Sequence, residues 1–549
     1  MIRFAPLALL ALALPAVAQE PVGPKLGAAS NFGQSWDAGM LDAAEALGVT
    51  DLRDAVYWND VEQGGVDRFN TFRSTYPALL PPRGMGMSAT LNNGHADYDG
   101  GVTPHTAEAV AGFGDFAARL VAQYPAIDAV EVGNEMNSAT FTSGPMREAD
   151  LSGKARYYTA LLAATKAAVG AARPEVRILG GAAHSIPIAW FKALSEAGAP
   201  AHMDAVVVHP YTTPPEQFVR QIALMRAVPG FGDLPIEVTE FGDENAASAP
   251  ATLVKYYCQM ALAGVTRVVW YPLNPRGDGL APLIDAENAM TPVGRAFAML
   301  GRHAAGRAVR DVAPDPFTYA CGFGTDSLVL WGAPRTVEVA DGVRVLAPDG
   351  TETDRRRLSR DEPLVMVGSG APVTLGDTVR LGPQAVIADS FDQFTYGPPA
   401  PGTFRPLAMI RGEESAFELR DGQQTNGVPW TPYLGHPSDG LLRMNAEFLL
   451  PSGGGASAAV IVQRYTAPEA VRARLVVTLE PSPRSTDGIE AWAAINGDEI
   501  GRMTLTERGE FVLDEVTLAK GDVLDVAVGP GATADGDTTL YRVTLLRAP

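Results

Sequence analysis

The chain is 549 residues long, past the size at which one hydrophobic core keeps growing, so about two to four domains are expected. With 46% hydrophobic and 19% charged residues it has the composition of a folded globular protein, not of a disordered one. Its 63 acidic and 43 basic residues give a formal charge of −20, which argues against nucleic acid as a partner, because phosphate contacts need a basic surface.

The first residues, MIRFAPLALLALALPAVAQE, hold one basic residue (Arg3), an apolar stretch and the small-x-small run Ala16-Val17-Ala18. This is the pattern of a secretory signal peptide spanning residues 1–18 and cleaved after Ala18. The apolar stretch falls short of the roughly 20 residues that span a bilayer, and no later segment is long and apolar enough to do so. The expectation is an exported protein, secreted or periplasmic, with no integral membrane segment.

Eight short apolar runs rich in Val and Ile follow, at 25–32, 50–56, 84–91, 127–134, 176–183, 203–211, 234–241 and 266–273, each reading as a buried strand. Between them lie Ala-rich segments such as 107–124 and 155–172, whose apolar residues recur every three or four positions, as helices packed on a sheet require. Eight βα units within residues 19–305 predict an α/β protein built on a (β/α)8 barrel. No glycine-rich phosphate fingerprint follows the first strand, which counts against a dinucleotide-binding fold. No Cys or His cluster has zinc spacing, so neither a metal site nor a cofactor is expected. Cys258 lies in a helical run and Cys321 in a strand-like one, and the pair reads as two buried free thiols in preference to a disulfide.

Past residue 305 the composition shifts to short alternating runs with Gly, Pro and Asp turns. Residues 306–385 read as a small β-sandwich, and residues 386–549 as a second sandwich or jelly roll beginning near the Pro/Gly-rich break at 396–404. Trp430, Tyr433 and Trp492 make that last module a candidate carbohydrate-binding one, although a Trp in a sandwich core is commoner. The Asp-Gly-Asp at 535–537 reads as a loop more than as a calcium site. Nothing in the sequence fixes an oligomeric state.

In a (β/α)8 barrel the active site lies at the C-terminal ends of the strands. That rule gathers Asn31, Arg53, Asn92, Asn93, Asn134, Glu135, His209, Tyr211, Glu240 and Trp270 on one rim. Glu135 ends the fourth strand and Glu240 the seventh. Two carboxylates across a barrel mouth suit glycosidic-bond hydrolysis: one protonated to donate to the leaving oxygen, the other ionised to attack the anomeric carbon. A lone glutamate at a strand end is ordinarily a solvated terminus; two at matched positions, beside Asn134 and facing a His-Pro-Tyr motif, are not. Glu131 shares strand parity with Glu135 and points into the barrel lumen, where it needs a partner such as Arg53. Glu237 has parity opposite to Glu240 and is expected to face the helix layer or a strand-end bulge. Asn31, Asn92 and Asn93 read equally well as turn formers, and Trp270 equally well as core.

Asn134-Glu135 on the fourth strand and Glu240 on the seventh resemble the signature of the clan A glycoside hydrolases. The Leu52-Arg53-Asp54 segment followed by Tyr57-Trp58, and the His209-Pro210-Tyr211 motif, resemble family 39 and its relatives most. The resemblance covers roughly residues 25–305. It implies a retaining hydrolase of β-linked polysaccharides or oligosaccharides, with Glu135 as general acid/base and Glu240 as nucleophile. It implies Arg53, His209 and Tyr211 around the nucleophile, and Trp270 as a platform under the sugar. Gly133 is a departure, standing where many relatives carry Trp. The loops at 92–105 and 137–153 suggest an open cleft and endo-action. Two rival readings remain: a transglycosylase using the same glutamates, and a non-catalytic carbohydrate-binding matrix protein, which loss of either glutamate would have indicated.

Overall fold

The computed structural model describes residues 21–548 apart from Asn93 and Asn426. The leader at 1–18 and the turn residue Asn93 therefore lie outside the described residues. Eight parallel strands close into a barrel: β1 (Lys25–Ala29), β2 (Asp51–Asp54), β3 (Gly86–Leu91), β4 (Ile127–Val132), β5 (Arg177–His184), β6 (Ala205–His209), β7 (Ile236–Phe241) and β8 (Val265–Trp270). Closure comes from β1, which pairs with β8 on one side and β2 on the other. Each of the eight predicted runs overlaps one of these strands; six strands lie wholly inside their runs, while β5 runs one residue past its run at His184 and β8 begins one residue before its run at Val265. Helices surround the sheet, and their ends follow local side-chain chemistry. Thr106 caps Ala107–Gln123 by accepting from the Ala109 N–H at 3.3 Å. Asp150 caps Leu151–Ala172 through Gly153 at 2.7 Å, so that helix starts one turn earlier than its apolar spacing predicts. Among the described residues no helix is long and apolar enough to cross a membrane.

The lower barrel lumen is ionic. Arg267 on β8 bonds Glu237 on β7 at 2.9 Å, Ser88 on β3 at 2.7 Å and Asp51 on β2, while Arg177 on β5 bonds Glu237 from the other side. This corrects the placement of Glu237, which faces the lumen. Glu237 departs from simple parity because β7 carries one extra residue: Val238 and Phe241 pair with Val268 and Trp270. Across such a bulge, alternation slips by one. Thr239 and Glu240, adjacent in sequence, both point inward, and Phe241 turns out to pack edge-on against Trp270 and Tyr256.

Beyond the barrel, a five-stranded antiparallel sheet over residues 309–368 and a two-stranded ribbon enclose a small core that includes Leu330, Val345 and Met366. From Val386 onward an eight-stranded and a six-stranded antiparallel sheet pack face to face around a larger core containing Ile461, Leu475, Val526 and Val543.

Cys258 and Cys321 are disulfide-bonded, with Cα atoms 5.8 Å apart, which corrects the expectation of free thiols. Sequence spacing does not show that the helix Ala249–Leu262 lies against the strand Thr318–Phe323; in the fold it does, and Tyr257 packs on Phe323 beside the bond. Closing a loop with this 63-residue separation stabilises the fold by about 4 kcal/mol on the chain-entropy argument. Alkylation in denaturant should find no free thiol until reductant is added, and reduction should lower the melting temperature by roughly 10 °C.

Candidate active site

β4 leaves the barrel through a kink. Gly133 (φ 80°) and Glu135 (φ 46°) are both left-handed, a conformation costing a non-glycine residue about 1–2 kcal/mol. The Gly133 N–H donates to the Leu91 carbonyl at 2.7 Å, and the Asn134 N–H to Asn92 Oδ1 at 3.0 Å. The kink lets Asn134 and Glu135 both face the mouth, where plain alternation would allow one. It also explains the glycine at 133, because a Cβ there would sit 2.4 Å from Met136 Cγ.

Arg53 organises the rim from β2. Its Nε and Nη2 donate to the two Glu131 oxygens at 2.7 and 2.9 Å, Nη2 also donates to Asn134 Oδ1 at 2.8 Å, and Nη1 bonds Glu240 Oε1. Tyr211 Oη donates to the other Glu240 oxygen at 3.2 Å. His209 places Nδ1 3.2 Å from Glu135 Oε1 and Nε2 3.0 Å from Thr239 Oγ1, whose hydroxyl donates onward to Glu131 at 3.2 Å. His184, at the end of β5, brings Nδ1 to the same Glu135 oxygen at 2.9 Å.

These contacts set the protonation of the free site. Burial disfavours charge on Glu135, yet hydrogen bonds from His184 and His209 outweigh it and bring the carboxyl down to about 2. Burial likewise opposes charge on His209, but Glu240, Glu131 and Glu135 raise it from 6.5 to about 9. The stability His209 contributes is therefore whole below its ordinary value of 6.5 and is lost as the pH rises through about 9. The contribution of Glu135 is whole above 4.5 and is lost as the pH falls through about 2. The His209 ring protons should keep imidazolium chemical shifts at pH 7.5 and titrate near 9 by NMR; neutral shifts at pH 7.5 would contradict the ion cluster.

Glu135, Glu240, Asn134, Arg53, His209, Tyr211 and Asn92 are thus brought together, Asn92 through the backbone of Asn134. Two predicted ligands are not. Asn31 does not line the cavity; its main-chain carbonyl closes the turn to Gln34 and Ser35 at 2.9 and 2.8 Å, while its neighbour Ser30 faces the opening. Trp270 is 1% exposed, with its indole N–H on the Ala281 carbonyl at 2.9 Å, so it is core and cannot be a platform. Strand alternation from the lumen-facing Arg267 points instead to Tyr271, which lines the cavity with Arg276 5.3 Å over its ring. The sequence reading also missed Phe141, 40% exposed on the cavity wall, and His184, which the left-handed pair Gly181 (φ 89°) and Ala182 (φ 36°) swings to the mouth.

The cavity holds about 330 Å³, with Arg53, Asn134 and Glu240 in its lining and Tyr57, Phe141 and Tyr271 as aromatic walls. A larger cleft of about 730 Å³ lies at the opposite, N-terminal end of the barrel, beside Lys25, Thr50 and Thr266, where (β/α)8 enzymes do not place their chemistry. Glu135, His209 and Glu240 present atoms within 4.8 Å of one another, a spacing that also suits a metal ion. The donors are already engaged with one another, however: Glu240 is held by Arg53 and Tyr211, and Glu135 by His184 and His209.

No protein-family model matches the chain, and no curated protein matches it in sequence. Solved structures do match in three dimensions. A family 39 glycoside hydrolase from the gut symbiont Bacteroides cellulosilyticus WH2 aligns with a TM-score of 0.52 at 17% identity, over 64% of this chain and 81% of that one. A family 39 β-xylosidase from Caulobacter crescentus gives 0.45 at 16% identity, and a GH30 endoxylanase from Clostridium papyrosolvens C71 gives 0.47 at 14%, each over 64% of this chain and 98% of that chain. The first of these likenesses shows the fold: this chain carries the (β/α)8 barrel found in glycoside hydrolases of family 39, within clan A.

Proposed function

We propose that the protein is a retaining glycoside hydrolase that cleaves β-linked polysaccharides or oligosaccharides outside the cytoplasm. The observation that carries the reading is the approach of a Glu135 oxygen to within 4.8 Å of a Glu240 oxygen. Double displacement calls for carboxyl groups about 5–5.5 Å apart, whereas inversion needs a wider gap to admit water. Arg53 and Tyr211 hold Glu240 aimed and charge-paired, the state a nucleophile requires.

Glu135 is ionised in the free site, and a proton donor must not be. Glu131, Glu135 and Glu240 oppose the cations Arg53 and His209, which leaves this cluster one net negative charge. A sugar covering the cavity removes water and favours the neutral cluster, so Glu135 takes up one proton as substrate binds. Both imidazoles contact Oε1, leaving Oε2 for the glycosidic oxygen. As the bond from the anomeric carbon to that oxygen breaks, the proton passes from Glu135 to the leaving group and Glu240 forms the glycosyl ester. Water then releases the sugar, with Glu135 taking its proton back. The Asn134 carbonyl is held by Arg53, which leaves its NH₂ as a donor for a sugar 2-hydroxyl.

The family 39 hydrolase with the same barrel supports a glycan substrate. The cavity is at the low end for small-molecule sites and is walled by aromatic side chains, which favours release of short products over the endo-action suggested by the loops. The signal-peptide pattern and the disulfide support export. The test is ¹H NMR of the first anomer formed from a β-glycoside, with product sizing on a glycan panel. A β-anomer formed first supports the reading, and an α-anomer formed first removes it.

A further inference from the structure

Glu135 is reached from the far end of the chain. The hairpin loop between strands Glu418–Arg420 and Tyr433–His436 of the C-terminal module lies on the barrel mouth. Its Asp421 carbonyl accepts from the Ile188 N–H at 2.8 Å, and its carboxylate pairs with Lys192. Deeper in, Gln423 and Asn137 exchange amide bonds: Asn137 Nδ2 donates to Gln423 Oε1 at 3.0 Å, and Gln423 Nε2 to the Asn137 carbonyl at 3.1 Å. Asn137 in turn grips the His184 backbone at both ends, donating to its carbonyl at 3.1 Å and accepting from its N–H at 2.8 Å. Trp430 meets the His184 ring edge-on, with centroids 4.8 Å apart at 74°. His184 then donates to Glu135.

The backbone of this loop is itself unusual. Gln423 is buried and has φ 102°, a conformation that side chains other than glycine rarely adopt, and its N–H is folded back onto the Pro429 and Trp430 carbonyls at 3.0 and 3.1 Å. Docking alone does not call for that strain, because the Asp421 contacts already fasten the module. The strained residue is the one whose side chain ends, through Asn137, on His184.

We propose that Gln423 and Trp430 are positioning residues of the active site, holding His184 against Glu135, so that the C-terminal module completes the proton-donating half of the reaction. The inference rests on the hydrolase reading above. A purely adhesive loop would affect stability and all substrates alike. A loop that acts on the proton donor affects substrates according to how much acid assistance their leaving group needs.

The experiment compares kcat/KM for 2,4-dinitrophenyl and unsubstituted phenyl β-glycosides of xylose, glucose and mannose in the full-length wild type, Trp430→Ala, Gln423→Ala and Lys192→Ala, with melting temperatures for each. Trp430→Ala and Gln423→Ala are expected to lose about tenfold or more on the phenyl substrate beyond any loss on the dinitrophenyl one. Trp430→Phe should recover much of that, and the effect should vanish when Trp430→Ala is combined with His184→Ala. Lys192→Ala, which weakens docking at an exposed ion pair, should match wild type on both. Equal losses on the two substrates, no loss, or the same selectivity in Lys192→Ala would each overturn the inference while leaving the hydrolase reading in place. A wild type that cleaves no glycoside in a broad panel would overturn the hydrolase reading, and the inference with it.

Discussion

Glu240→Ala is expected to lower glycoside hydrolysis by about 10⁴-fold or more, since it removes the proposed nucleophile and with it the covalent route. Azide should restore turnover of an activated aryl β-glycoside and give the α-glycosyl azide, because the small anion enters the space left by the side chain and attacks once. Glu135→Ala should behave differently. Azide there should intercept the glycosyl ester on Glu240 and give the β-azide, with the largest losses on poor leaving groups. The distinction follows from the contacts: Glu240 is bonded by Arg53 and Tyr211, and Glu135 by two imidazoles. If the two variants gave azides of the opposite anomers, the roles would be reversed. If Glu240→Ala kept full activity, the nucleophile assignment would fall.

Arg53→Met should destabilise the barrel by about 3–5 kcal/mol, the cost of stripping one partner from a buried charge cluster. Arg53 on β2 reaches Glu131 and Asn134 at the fourth strand and Glu240 on β7, so its loss strips the fully buried Glu131 of its two-pronged cation and leaves it the Thr239 hydroxyl and the more distant His209. A drop of roughly 10 °C in melting temperature is expected for a domain of this size. Arg53→Lys should keep the charge but not the fork that spans both Glu131 oxygens, and should fall between wild type and Arg53→Met. A melting temperature within about 1 °C of wild type for Arg53→Met would show that the lumen network does not hold the strands together.

The barrel is legible in the sequence because strand and helix periodicities alternate eight times, and every strand matches a predicted run to within one residue at the edges it overruns, His184 and Val265. The two glutamates, with Asn134, Arg53, His209 and Tyr211, are legible because strand ends in a parallel barrel share one rim. What the sequence hides lies where the backbone departs from regularity. The extra residue in β7 reverses the expected facing of Glu237. The left-handed residues at 181 and 182 bring in His184, which strict alternation has no means of placing. Trp270 fails as a platform because large aromatic residues suit the helix–sheet layer as well as a cleft, and the parity of Arg267 assigns the rim to Tyr271 instead. The disulfide and the Gln423–Asn137 pair, 286 residues apart, are contacts between units that no local pattern encodes.

Both cysteines of the bond between helix Ala249–Leu262 and strand Thr318–Phe323 have no solvent exposure. That burial fixes an order of events. Thiols sealed between barrel and sheet are out of reach of any oxidant, so the bond must form before the junction closes or while it is open. Chains that fold in reducing surroundings would close over two thiols and stay that way for as long as the junction holds. The redox history of the chain during folding would then persist in the finished molecule, with reduced and oxidised forms coexisting as two long-lived populations of one sequence.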